Sequence, residues 1–157
     1  MSAPPVVSDT SPIIALDGIG RLGLLRELYG EVLVPPAVAQ EAAPRTELPA
    51  WIVQTALEQA VGPRILMASL GPGESAAIAL ALEREARLLI LDDLPARRLA
   101  QAIGLPVAGT LAVLVRAKRR GLLVEIKPDI DALMSNDFRV ARALREAILL
   151  NAGESPD

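Results

Sequence analysis

Residues 5–14 read PVVSDTSPII. Two valines run into a carboxylate, and a Ser-Pro step follows at once. Pro5–Ser8 has the make-up of a short buried strand, apolar and branched. Ser11-Pro12 has the form of an N-cap and first residue of a helix. Asp9 is then surplus to capping, at the carboxyl end of a strand. The same grammar recurs along the chain. EVLV (31–34) leads into PPAVAQEA, RLLIL (87–91) leads into Asp92 and Asp93, and LPVAG (105–109) leads into Thr110. Strands that are apolar throughout and alternate with helices predict a parallel sheet covered on both faces. The fold class is α/β.

Between the strands, Ala96, Leu99, Ala100 and Ile103 fall at helical spacing, and Leu111, Leu114, Val115 and Lys118 repeat it. A last helix is expected over Arg139–Leu150, burying Val140, Ala141, Leu144 and Ile148. VEIKP (124–128) is a candidate fifth strand. LPAWIVQTALEQAV (48–61) reads as one helix packed by Trp51, or as a helix and a turn. At 157 residues the chain is expected to form one domain over residues 1–153, with a frayed tail at 154–157.

Hydrophobic residues make up 52% of the chain and aromatics only 2%, so the core must be built from Leu, Ile, Val and Ala. No apolar run is long enough to cross a bilayer. MSAPPVV has no basic segment of the secretory kind. Cysteine is absent, which excludes disulfides and makes a cytoplasmic home the expectation. Histidine is absent too, which excludes Ser-His and Cys-His nucleophiles and removes the two commonest zinc ligands. Where carboxylates gather in such a chain, the metal they suit is Mg²⁺ or Mn²⁺.

Ligands bind at the carboxyl ends of strands in open parallel sheets. Asp9 stands at one such end and the Asp92-Asp93 pair at another. One of that pair is free to cap the following helix, and the other is left over. Glu74 opens the helix of GPGESAAIALALE, where Glu74, Ile78 and Leu82 follow one another at a spacing of four. Glu41 closes PPAVAQEA, where an acid opposes the helix dipole. A salt bridge to an arginine would explain either glutamate alone. Four acidic sites turned toward one sheet edge would repel each other unless a cation held them together. The net charge is −3, yet no acid falls between Leu94 and Val124. Arg97, Arg98, Arg116, Lys118, Arg119 and Arg120 all do, forming either a solvated helix surface or a patch for phosphates.

The ordered set SDTSPIIAL, VLVPPAVAQE, GPGESAAIALALE and LLILDDLPARRLAQAIGLPVAGTLAVLVRAKRRGLL resembles the PIN-domain nucleases, and among them a prokaryotic branch related to the VapC-type toxins. The resemblance runs from Val6 to about Gly153. It implies a three-layer α/β/α sandwich on a mostly parallel sheet of four to five strands. It also implies an acidic divalent-metal site that cleaves RNA. Matched by motif, the acids are Asp9, Glu41, Glu74 and Asp93, with Asp92 close behind. Asp9, Glu41, Asp92 and Asp93 are the implied metal ligands. Ser11 and Thr110 are the companion hydroxyls. Glu74 stands where such enzymes commonly carry aspartate. Arg97, Arg98, Arg116, Lys118 and Arg119 are the candidates for RNA phosphates. A small antitoxin protein and a homodimer are partners by resemblance only. A PIN-like module that binds RNA or protein without catalysis is the main rival. A phospho-acceptor receiver domain fits poorly, because receivers place their paired acids after the first strand.

Overall fold

The computed structural model describes residues 3–59 and 69–157. Five short strands form one parallel sheet: β1 (Val6–Ser8), β2 (Val32–Val34), β3 (Ile52–Gln54), β4 (Leu88–Ile90) and β5 (Val107–Ala108). Their order is β3-β2-β1-β4-β5. The chain winds outward from β1 through β2 to β3, then returns to lay β4 on the other side of β1, with β5 beyond it. The winding therefore reverses between β1 and β4. There Val6 pairs with Leu88 and Ser8 with Ile90, and the Asp9 N–H extends the ladder by donating to the Ile90 carbonyl at 2.9 Å.

Alternation along each strand divides the core in two. Val6, Val32, Leu88 and Ile90 face one apolar cluster, and Val7, Leu33, Leu89 and Leu91 face the other. Helices α2 (Gly23–Tyr29), α6 (Thr110–Arg119), α7 (Lys127–Ser135) and α8 (Arg142–Asn151) supply the first cluster. Helices α3 (Pro36–Ala42), α4 (Pro72–Glu83) and α5 (Leu94–Ala102) supply the second. Helix α1 (Thr10–Gly18) gives Leu16 to one cluster and Ile13 to the other. The result is the expected three-layer α/β/α sandwich.

Prolines open many of the helices and left-handed turns close them. Pro36, Pro72, Pro95 and Pro128 sit in first turns, where a missing N–H costs no intrahelical bond. Helix α5 closes with the Leu105 N–H donating to the Ala100 carbonyl and the Gly104 N–H to that of Gln101, across a Gly104 φ of 89°. That is the Schellman pattern. Helices α4 and α7 close the same way, but with Glu85 (φ 49°) and Asp137 (φ 64°) at the left-handed position.

Several expected boundaries differ. Residues 52–54 are strand rather than helix, paired with β2 through Val32↔Ile52. As an edge strand, β3 passes from buried Ile52 to exposed Gln54, so it lacked the wholly apolar signature of the other strands. The last two residues of the expected 48–61 helix lie outside the described residues. VEIKP forms no strand: Val124 is 93% exposed, and Ile126 is the N-cap of α7. Helix α8 starts at Arg142, and Leu149 is its buried residue; Ala141 and Leu144 are exposed, and Val140 and Ile148 half-buried. In α6 the buried stripe is Thr110, Val113, Leu114 and Ala117, one residue out of phase with the expected one. In α5 it narrows to Ala96 and Ala100.

Residues 154–157, expected to fray, make defined contacts. The Glu154 carboxylate accepts from Lys118 Nζ at 2.7 Å and from the backbone N–H groups of Ile126 and Lys127 at 2.9 and 3.1 Å. It thereby caps the amino end of α7. Burial raises its pKa, but these donors outweigh that and hold it below the usual glutamate range. Among the described residues no helix is long and apolar enough to cross a membrane.

Candidate functional site

Because β1 and β4 are neighbours, the residues that follow them leave the sheet side by side. Asp9 and the Asp92-Asp93 pair, more than eighty residues apart in sequence, thus meet at the point where the winding reverses. This is where open α/β sheets form a ligand crevice. A cleft of about 930 Å³ opens there, lined by Asp9, Glu41, Glu74 and Asp93 among others. A second cavity, about 780 Å³ around Pro4, Tyr29 and Arg87, lies by the amino ends of β1 and β4 and gathers no comparable set of acids.

Asp9 is 4% exposed. It occupies the N-cap position of α1 yet makes no side-chain capping bond, and its Oδ1 is buried without a partner. The helix begins at Thr10, so Ser11 stands inside the first turn, exposed on the cleft, instead of capping it. Burial pushes the Asp9 carboxyl up to about 7, against a bond from the Thr10 N–H that lowers it; the charges of Glu74, Glu41 and Asp92 raise it further.

Glu41, on the last turn of α3, is fixed from two sides. The Thr10 hydroxyl donates to its Oε2 at 2.8 Å. Gly73 lies so close that a Cβ there would stand 2.6 Å from both carboxylate oxygens. Glu74 is the third residue of α4, after the N-cap Gly71, and accepts from the Gly71 backbone, as in one arm of a capping box. Its other oxygen, Oε2, is buried and unpartnered. Burial, then the charge and close approach of the Asp93 carboxyl, raise the Glu74 pKa.

The aspartate pair divides its labour. Asp93 caps α5, its Oδ2 accepting from the Ala96 N–H at 3.0 Å, and it borders the cleft. Asp92 turns to Thr110, which donates both its N–H and its hydroxyl, each at 2.7 Å. A Cβ at Gly109 would lie 2.9 Å from Asp92 Oδ1. Burial raises the Asp92 pKa; the Thr110 bonds and the charge of Arg97 pull it back down.

Of the five basic candidates, none borders the cleft. Arg97 lies beside Asp92 and Gly109. Lys118 is paired with Glu154, and Arg116 donates to the Tyr29 hydroxyl. Arg98 on α5 and Arg119 on α6 are exposed. The residues the sequence reading missed are Thr10, Gly73 and Gly109, which hold carboxylates in place, and Arg45, which borders the cleft. A glycine two positions into α4 beside a glutamate was the one signal available in the sequence.

The donor set suits a hard divalent cation: the side-chain ligating groups lining the cleft are carboxylate, hydroxyl and amide oxygens. Two buried carboxylate oxygens without partners, and neighbouring acids that raise the pKa of Asp9 and Glu74, are what a bound cation would relieve. Among the described residues, no three acids already stand as a ready-made metal-holding group.

A doubly wound parallel sheet with an acidic cleft at its switch point places the chain among the open α/β domains that form a ligand crevice at that edge. A family model described as a PIN domain matches residues 5–154. The chain belongs to the PIN-domain family, whose members are generally nucleases. No curated protein matches it in sequence.

Proposed function

We propose that the chain is a divalent-metal-dependent ribonuclease that hydrolyses RNA phosphodiesters. The observation that carries this reading is the pair of buried, unpartnered oxygens, Asp9 Oδ1 and Glu74 Oε2, on residues lining the acidic cleft of a PIN-domain sheet. Asp9, Glu41 and Asp93 would hold Mg²⁺ or Mn²⁺, with Asp92 braced behind them by Thr110. When bound, such an ion supplies a water of lowered pKa and charge to stabilise the oxygen leaving phosphorus.

The chain's own residues do the rest. Thr10 and Gly73 keep the Glu41 carboxylate in one place. Glu74, which holds a proton more readily than an ordinary glutamate, orients the attacking water and takes its proton. The water oxygen bonds to phosphorus, one P–O ester bond breaks, and the proton passes to the departing oxygen. The toxin role, a small antitoxin that blocks the cleft, and a homodimer belong to this same reading. Ser11 is a hydroxyl at the cleft's edge for the substrate.

The rival, a PIN module that binds without cutting, is favoured by the lack of a ready-made metal-holding group among the described residues. Mn²⁺ titration by calorimetry on the wild type and Asp9→Asn, followed by cleavage of single-stranded RNA, separates the two. The nuclease reading expects the wild type to bind and cut and the variant to do neither. A wild type that binds no Mn²⁺ and leaves RNA intact sinks it.

A further inference from the structure

The carboxylates are one part of the cleft lining; another part comes from the end of α7 and the turn after it. Ser135, Asn136, Asp137 and Phe138 border the same cavity as Asp9 and Glu41. Phe138 is the chain's only phenylalanine. Its N–H donates to the Leu133 carbonyl at 3.0 Å, completing the turn that closes α7. The ring packs on the core cluster that contains Leu133 but stays half-buried. It borders both the cleft and an adjoining cavity of about 630 Å³. An apolar contact in such a turn needs only a leucine or valine. In a chain so poor in aromatics, a ring at the lip of the acidic cleft exceeds what the turn requires.

Two polar groups accompany it. Asn136 donates Nδ2 to the Gly18 carbonyl at 3.2 Å, which ties the turn to the end of α1; its Oδ1 has no protein donor among the described residues. Arg45 is the one basic residue among the described residues that line the cleft. No carboxylate forms an ion pair with it among them. A guanidinium left unpaired beside so many acids is available to a phosphate.

We propose that the cleft binds one unpaired nucleotide next to the carboxylates, its base on the Phe138 ring and a phosphate on Arg45, with Asn136 Oδ1 accepting from a base amine. The inference rests on the nuclease reading and adds to it a base subsite on the α7 side of the cleft. A base inside a duplex is already stacked on both faces and must be extruded before it meets a ring.

The test measures binding apart from cleavage. A labelled eight-nucleotide RNA is titrated by anisotropy in Ca²⁺, with a gel confirming that it stays uncut. The same RNA carrying one abasic position, moved along the strand, and its duplex form are titrated beside it. The expected result is that one abasic position weakens wild-type binding about 5- to 150-fold, the worth of one base–aromatic stack. Phe138→Leu then binds more weakly and ignores that position, Phe138→Tyr behaves as wild type, and the duplex binds worse than the single strand. Equal affinity for every abasic strand, or a Phe138→Leu protein with the wild-type profile, overturns the proposal. If Phe138→Leu fails to fold, the wild-type abasic and duplex comparisons decide alone. Mn²⁺-dependent cutting that persists without an abasic effect removes only the base subsite; a wild type that neither binds nor cuts RNA removes the nuclease reading as well.

Discussion

Gly73 is the residue on which the position of Glu41 turns. A methyl group there would meet the carboxylate oxygens at 2.6 Å, and the flexible end of a glutamate gives way more readily than a helix. Gly73→Ala is therefore expected to displace Glu41 and break its bond with Thr10. Mn²⁺ affinity should fall roughly tenfold, the usual effect of a residue that orients a ligand. Stability should hold, since alanine suits a helix better than glycine by about 0.5–1 kcal/mol. Calorimetry and thermal melting together check this, and equal Mn²⁺ affinity in the variant would contradict it. The Asp9 carboxyl gives a second prediction. It ionises at about 3.8 in the unfolded chain and about 7 in the folded one. Between those values the folded protein holds more protons, so in EDTA stability falls as pH rises from about 4 to about 7 and then levels off. The full shift is worth up to about 4 kcal/mol. Glu74 and Asp92 shift in the same direction, so Asp9→Asn should flatten the slope without abolishing it; urea titrations across that range measure both. The sequence made Asp9 and Glu41 legible as surplus acids. It could not expose Gly73 or Thr10, whose roles exist only once two distant helices touch.

At the scale of elements, strands apolar on both faces were plain in the sequence, because β1, β2 and β4 are buried throughout. The edge strand β3 was not, because it passes from buried to exposed; helix α8 was legible as a helix, but its buried face was not, because only Leu149 in it is fully buried. Helix ends were legible where proline or glycine marks them. Glu85, a β-carbon-bearing residue at a left-handed position, gave no such mark. Glu85→Gly keeps the turn's hydrogen bonds and removes the left-handed penalty, so it should stabilise the protein by about 1 kcal/mol. A urea midpoint at or below that of the wild type would count against this account.

For the whole molecule, the strand order was the missing fact. Sequence put acids at several strand ends but left their separation open; the order β3-β2-β1-β4-β5 brings two of those ends together. A cation bound there stabilises the folded chain as a whole. At a hundred times its dissociation constant, Mn²⁺ should add about 2.7 kcal/mol, raising the melting temperature by roughly 5–10 °C for a domain of this size. EDTA should reverse the rise, and Asp9→Asn should show little of it. An unchanged wild-type melting curve would mean that the acids repel one another with nothing to join them.

The pairing of β1 with β4 joins residues as far apart as Val6 and Leu88. A chain emerging from the ribosome has made β1, β2 and β3 before either Gly73, which abuts Glu41, or Ile90, to which the Asp9 N–H donates, has been added. The winding order therefore makes the cleft a late product of synthesis, complete only once β4 has been laid beside β1.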